Sequence, residues 1–101
     1  MYTTSVNADS LEICIEVKSL DASNAVKLKT LLKELDQQGM NKLVLDLKNV
    51  EFMDSSGIGV LLNLYKQYNQ NVSLRNPSAS VLSVLELLRL HRIFEIETNG
   101  S

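Results

Sequence analysis

Apolar and polar residues alternate near the start of the chain, which is typical of a β-strand with one buried face. The alternating positions are Leu11, Ile13, Ile15 and Val17 on one side, and Glu12, Cys14, Glu16 and Lys18 on the other. The stretch from Tyr2 to Val6 also favours an extended conformation, and residues 7–10 supply a turn between the two. The pattern therefore predicts two paired strands at the start of the chain.

Three later segments repeat apolar residues at spacings of three and four, which predicts helices with one buried face. The first follows residues 19–22 and is expected to end near Gly39, the second runs from Ser55 to about Tyr68, and the third spans 78–90 behind Pro77. The predicted inward residues are Ala25, Leu28, Leu31, Leu32 and Leu35, then Ile58, Leu61, Leu62, Tyr65 and Tyr68, then Val81, Leu82, Leu85 and Leu88.

Short apolar runs lie between and after these helices, at residues 42–47, 72–76 and 93–96. The first is apolar on both sides except at Asp46, which predicts a central strand covered by helices. Strands that alternate with helices indicate an α/β fold, a small mixed but mostly parallel sheet flanked by helices. At 101 residues and 45% apolar content, one hydrophobic core and one domain over residues 1–101 are expected.

Charge and cysteine content exclude several function classes. The formal net charge is -2 and the basic residues are scattered, so no basic stripe favours a nucleic-acid partner. The N-terminus lacks the basic and apolar segments of a secretory signal, and no run is long enough to cross a membrane, so a cytoplasmic location is expected. The single Cys14 allows no internal disulfide and is interpreted as a packed thiol.

The candidate site is the segment 52–60, Phe-Met-Asp-Ser-Ser-Gly-Ile-Gly-Val, where a predicted strand passes into the second helix. Ser55 and Ser56 stand where a helix cap is expected, beside unpaired amide donors and the positive end of the helix dipole. A phosphate group could be accommodated at such a position.

Catalysis and metal binding find little support in the sequence. The only histidine available as a base for Ser55 or Ser56 is His91, and the glycine that precedes a hydrolase nucleophile in the GxSxG pattern is absent. The glycines lack the Lys-Ser or Lys-Thr pair of a P-loop, and the acidic residues do not cluster with His or Cys. We therefore expect neither an enzyme nor a bound cofactor or metal.

Two interpretations of the serine pair remain open. In one, Ser55 is a substrate for another protein's kinase, and the phosphate adds about -1.5 to -2 charges. In the other, both serines only cap the helix, while Gly57 and Gly59 permit a tight turn and close packing. Spacing alone favours the second interpretation, because capping serines are common.

The chain resembles the anti-sigma factor antagonists, which are stand-alone bacterial members of the STAS domain family. The resemblance covers nearly the whole length, and its most specific part is the segment 52–60. The other segments that carry it are Leu20-Asp21-Ala22, residues 43–47 and residues 84–96.

This resemblance implies a regulatory cycle. The unphosphorylated protein would bind an anti-sigma factor that is also a serine kinase, and so free a sigma factor. The kinase would phosphorylate Ser55, and a PP2C-type phosphatase would remove the phosphate. The resemblance also implies a docking surface, which consists of Asp21, Asp54, Ser55, Ser56, Gly57 and Ile58 at the start of the second helix.

The sequence departs from the family pattern at two places. The connection after the second helix, Asn69-Gln70-Asn71, lacks the glycines that are frequent there, which concerns a turn rather than the switch. The other departure precedes the first helix. A pattern such as Gly-Glu-Leu-Asp is common before the first helix, where this chain has Lys18-Ser19-Leu20-Asp21. An alternative function within the same family is a scaffold, such as a small subunit of a transport ATPase or a stressosome-like assembly, in which Ser55 acts only as a cap.

Overall fold

The first two strands form a hairpin in the computed structural model, which describes residues 1–98. Strand β1 (Tyr2–Asn7) pairs antiparallel with β2 (Ser10–Ile15), and the turn between them contains Ala8 at a φ of 55°. The alternating apolar residues of β2 are fully buried, while Glu12 and Cys14 are half-buried. The predicted N-terminal pair is confirmed.

The remaining elements alternate between strands and helices. In chain order they are β3 (Ser19–Leu20), α1 (Ala25–Lys33), β4 (Lys42–Asp46), β5 (Phe52–Met53), α2 (Ser55–Gln67), β6 (Val72–Arg75), α3 (Ala79–Leu87), a 3-10 turn (Leu90–Arg92) and β7 (Glu95–Glu97). The main sheet has the order β1-β2-β4-β6-β7, in which only the β1–β2 pair is antiparallel. The predicted α/β fold with a mostly parallel sheet is confirmed.

The core lies between one face of this sheet and the three helices. The sheet contributes buried residues that share one face by register, and all three helices contribute to the same cluster. The main contributors are Leu11, Ile13, Leu43, Leu45, Val72 and Leu74 from the sheet, and Leu28, Leu32, Leu61, Leu64, Val81 and Leu85 from the helices. The described residues therefore form one domain.

The opposite face of the sheet is polar, so the prediction that helices cover both faces of β4 is wrong. Arg75 on β6 pairs with Glu97 at 3.4 Å and reaches Glu12 on β2 at 3.2 Å. Because β4 lies between β2 and β6, this ion pair crosses β4, where Val44 is only 3% exposed. Side chains of the sheet itself thus shield Val44, which was expected to be covered by a helix.

Several predicted boundaries and inward residues differ from the structure. Helix α1 ends at Lys33, and Gly39 lies in the following loop at a φ of 76°. Helix α3 ends at Leu87 because Arg89 adopts a left-handed φ of 60°, and β7 begins at Glu95, after position 93. Three residues predicted to face inward are exposed by 38%, 40% and 50%: Leu31, Leu62 and Leu88.

Candidate functional site

A two-residue parallel ladder, which the sequence did not reveal, assembles the site. Leu20 of β3 pairs with Met53 of β5, and the backbone N–H of Asp54 donates to the Leu20 carbonyl at 3.3 Å. Adjacent strands lie about 4.8 Å apart, and Asp21 and Asp54 each follow one strand of the pair directly. The ladder therefore places Asp21 next to Asp54 at the start of α2.

The N-cap of α2 is Asp54, whereas the sequence pointed to a serine. Its backbone is extended (φ -109°, ψ -168°), and its Oδ1 accepts hydrogen bonds from the N–H groups of Ser56 (2.8 Å) and Gly57 (3.2 Å). A carboxylate at this position also interacts favourably with the helix dipole. The capping interpretation of the serine pair is therefore wrong for this helix end, because the cap is already supplied.

Ser55 is the first residue of α2 and is exposed, and Ser56 beside it is half-buried. Because Asp54 occupies the amides of Ser56 and Gly57, a phosphate on Ser55 would lie beside a carboxylate as well as near the helix N-terminus. Ser55 is exposed beside Asp54, and the loop that carries Asp21 lies next to this helix end. Ser55 is accessible to a modifying enzyme without any rearrangement of the core.

The two glycines of the segment have different roles. A Cβ at Gly57 would lie 2.5 Å from the carbonyl oxygen of Leu20 and 2.6 Å from Cγ of Met53. A Cβ at Gly59 would meet only Nζ of Lys29, at 4.0 Å. Close packing therefore requires glycine at position 57 and does not require it at position 59, contrary to the expectation that both serve packing.

Ile58 does not present its side chain to solvent. It is 6% exposed and belongs to the hydrophobic core, and Gly57 is buried as well. The expectation that Ile58 lines a docking surface is therefore corrected, since its side chain anchors α2 on the sheet. Asp21, Asp54, Ser55 and Ser56 remain as the accessible part of the predicted surface.

Hydrogen bonds hold the Asp21 loop in one conformation. The Ser19 hydroxyl donates to Oδ2 of Asp21 at 2.6 Å, and the Ser23 backbone N–H donates to Oδ1 at 2.9 Å. These donors, Ser19 first and then Ser23, lower the pKa of Asp21. The side chain of Asn24 bridges the Asp21 N–H and the Ser19 carbonyl. Ser19, which stands where the sequence departs from the family pattern, is thus a structural partner of Asp21.

Sequence reasoning missed Phe52. This residue is 54% exposed, although the next residue of β5, Met53, is 2% exposed. The alternation of a two-residue strand was too short to indicate which of the two faces outward. Exposed aromatic side chains are frequent anchors of protein interfaces, and this one lies two positions before Asp54.

Among the described residues, no hydrogen bond links Ser55 to a histidine base, and there is neither a reactive thiolate nor a group of metal ligands. His91 is exposed in the 3-10 turn, and within residues 1–98 no hydrogen bond joins it to either serine. Burial, and next the Asp46 carboxylate, raise the pKa of Cys14, which disfavours a reactive thiolate. In the same described range, no three His, Cys, Asp or Glu residues are grouped as metal ligands would be. Nor does any helix of this range have the length and apolar character needed to span a membrane.

Comparison with known proteins agrees with this geometry. Residues 13–100 match the STAS domain family. A Thermotoga maritima protein named "Putative anti-sigma factor antagonist" is 34% identical over 92 residues, which are 87% of this chain and 81% of that protein. The "Anti-sigma-B factor antagonist" of Staphylococcus aureus is 32% identical over 77 residues, covering 76% of this chain and 66% of that protein.

The fold is similar to that of the anti-sigma factor antagonist SpoIIAA. Its unphosphorylated form superimposes with a TM-score of 0.77 over 98% of this chain and 90% of that chain, at 19% identity. The phosphorylated form, from Bacillus, gives a TM-score of 0.67 over 98% of this chain and 93% of that chain, at 18% identity. These likenesses concern the fold, and the match over residues 13–100 shows that the chain belongs to the STAS domain family.

Proposed function

We propose that this protein is an anti-sigma factor antagonist whose binding is controlled by phosphorylation of Ser55. The unphosphorylated protein binds a kinase-type anti-sigma factor through the surface around Asp21, Asp54, Ser55 and Ser56, and so releases a sigma factor. The anti-sigma factor phosphorylates Ser55, and a PP2C-type phosphatase reverses the modification. The cycle takes place in the cytoplasm.

The observation that carries this proposal is the position of Ser55. It is exposed at the first position of α2, directly after a cap that already satisfies the helix end. A phosphate there changes the charge of the surface and leaves the buried contacts of Gly57 and Ile58 in place. The names of the relatives support the role of an anti-sigma factor antagonist. The structures of SpoIIAA in unphosphorylated and phosphorylated forms support control by phosphorylation.

The charge of the phosphate is large enough to end binding. A phosphoserine adds about -1.5 to -2 charges beside the carboxylates of Asp21 and Asp54. If electrostatic repulsion and the cost of desolvating the phosphate make binding less favourable by about 3 kcal/mol, the affinity falls more than a hundredfold. In the isolated protein, the interaction of the phosphate with the helix dipole is favourable by roughly 0.3 to 1 kcal/mol. Partner affinity is therefore far more sensitive to the modification than the fold is.

The test is incubation with a co-encoded anti-sigma factor kinase and ATP, followed by a phosphate-retarding gel and mass spectrometry. We expect one phosphate on the wild type and on Ser56→Ala, and none on Ser55→Ala. A phosphate that persists in Ser55→Ala contradicts the assignment of the acceptor. A wild type that takes up no phosphate contradicts the switch and favours the scaffold function.

A further inference from the structure

Helices α1 and α2 carry positive charge only. Their residues include four lysines and no Asp or Glu, so together they have a net charge of +4, although the whole chain has -2. The rest of the chain therefore has -6. The lysines are Lys27, Lys29 and Lys33 of α1 and Lys66 of α2. Such separation of charge creates a local field that favours an acidic partner.

Three of these lysines lie along the groove between the two helices. Nζ of Lys29 is 4.0 Å from the position that a Cβ of Gly59 would occupy, so this lysine reaches across from α1 to α2. Further along, Lys33 and Lys66 line a cavity of about 520 Å³. Its other lining residues are Leu35, Gln37, Asn63 and Gln67, none of which is acidic.

The lysines of this basic groove, defined by Lys29, Lys33 and Lys66, are not neutralised within the protein. In residues 1–98, both ion pairs between side chains are made by Arg75, on the polar face of the sheet. The lysines of the groove therefore keep their charges available to a partner. Paired surface charges would have lost most of their capacity to attract another molecule.

The basic groove is continuous with the proposed switch. Ser55, Gly59, Leu62 and Lys66 recur at spacings of four, three and four, so they lie along one side of α2. Leu62 is 40% exposed on this side, and Val26 at the start of α1 is 73% exposed. A partner that contacts Ser55 can thus extend over apolar side chains and lysines without leaving the surface of the two helices.

We propose that the basic groove binds an acidic segment of the anti-sigma factor, with carboxylates that face Lys29, Lys33 and Lys66. This inference rests on the proposed function, and it adds the chemistry of the partner. It also gives the phosphate of Ser55 a physical target. A dianion one helical turn from Gly59 competes with the carboxylates of the partner for Lys29, whose Nζ reaches Gly59, and repels those carboxylates.

The test compares charge reversals by calorimetry and by stopped-flow association with the co-encoded anti-sigma factor. Lys29→Glu and Lys66→Glu are expected to weaken binding at least about tenfold, chiefly through slower association, since complementary charges act on the association rate. Added salt should slow association of the wild type more than that of either variant, because salt screens exposed charges. Arg92→Glu in the exposed 3-10 turn is the control, with the same change in charge and binding within about twofold of the wild type.

The outcomes separate this inference from the function on which it rests. Circular dichroism and thermal melting confirm that each variant is folded, and a glutamine at the same position (Lys29→Gln or Lys66→Gln) replaces a variant that is not. If Lys29→Glu and Lys66→Glu bind as Arg92→Glu does, the basic groove is not the contact, while the proposed function stands. If the wild type itself fails to bind the anti-sigma factor, both are overturned.

Discussion

Replacing Gly57 by alanine should destabilise the protein, although alanine is the better helix former. The added Cβ would lie 2.5 Å from the Leu20 carbonyl oxygen, about 0.9 Å short of an ordinary contact at 3.4 Å. That oxygen belongs to the β3–β5 ladder and accepts the hydrogen bond from the Asp54 N–H. Relief of the clash therefore requires the ladder and the start of α2 to move apart.

The magnitude follows from two opposing contributions. Overpacking of a well-packed site costs about 1 to 3 kcal/mol, and a contact with backbone belongs to the upper part of that range. Helix propensity returns up to about 1 kcal/mol. The net loss should be about 1 to 2 kcal/mol, which corresponds to a decrease in Tm of roughly 4 to 16 °C for a domain of this size.

Gly59 provides the matched control within the same helix. Its Cβ would approach only the flexible end of Lys29, so Gly59→Ala should stabilise the protein by about 0.5 to 1 kcal/mol. Both variants are measured by urea denaturation and thermal melting under identical conditions. If Gly57→Ala is as stable as the wild type, or if the two substitutions have the same effect, the argument from close approach is refuted.

Three further predictions concern the same helix end. Ser55→Asp should weaken binding of the anti-sigma factor at least about tenfold by calorimetry with little change in Tm, and equal affinity would contradict it. Asp54→Ala should cost about 1 kcal/mol in urea denaturation, since it removes the cap for Ser56 and Gly57, whereas no loss would mean that the cap is unimportant. Asp21 has a pKa below its ordinary value near 3.8, so its stabilisation is complete above that value and is lost as the pH falls through the lower folded pKa. The stability difference between wild type and Asp21→Asn should therefore be larger at pH 7 than at pH 2.5, and a constant difference would contradict the hydrogen-bond explanation.

Periodicity predicted the elements that have a clear buried face. Strand β2 alternates over a full strand length, and α2 repeats over several turns, so both were identified. The bounds of α2 were nearly correct, whereas β2 ends at Ile15, before the predicted Val17. Segment ends were less predictable. Helix α3 stops just before Arg89, which adopts a positive φ. This conformation is uncommon for residues other than glycine, so an arginine in the sequence does not indicate it.

The geometry of the site could not be predicted, because it depends on contacts between segments that are distant in the sequence. The β3–β5 ladder has two residues in each strand, too few for any alternation to be recognised. Without it, the closeness of Asp21 to Asp54 and the clash at Gly57 cannot be derived. For the same reason Gly57 and Gly59 looked equivalent in the sequence, although only the first touches another segment's backbone.

Local chemistry could be predicted in kind but not in detail. The segment 52–60 was correctly interpreted as a strand that passes into a helix with a polar cap. Which of three adjacent polar residues caps the helix depends on the backbone angles at Asp54. The assignment of Asp54 as the cap leaves Ser55 exposed, and this strengthens the case for Ser55 as the modified residue.

The central claim is that one removable charge on Ser55 controls partner affinity while the fold remains intact. The most direct measurement is the affinity of one preparation for the anti-sigma factor before phosphorylation, after phosphorylation, and after treatment with a PP2C-type phosphatase. We predict a loss of at least about a hundredfold on phosphorylation, full recovery on dephosphorylation, and a Tm that changes by only a few degrees. Equal affinity in the phosphorylated and unphosphorylated states would contradict the account.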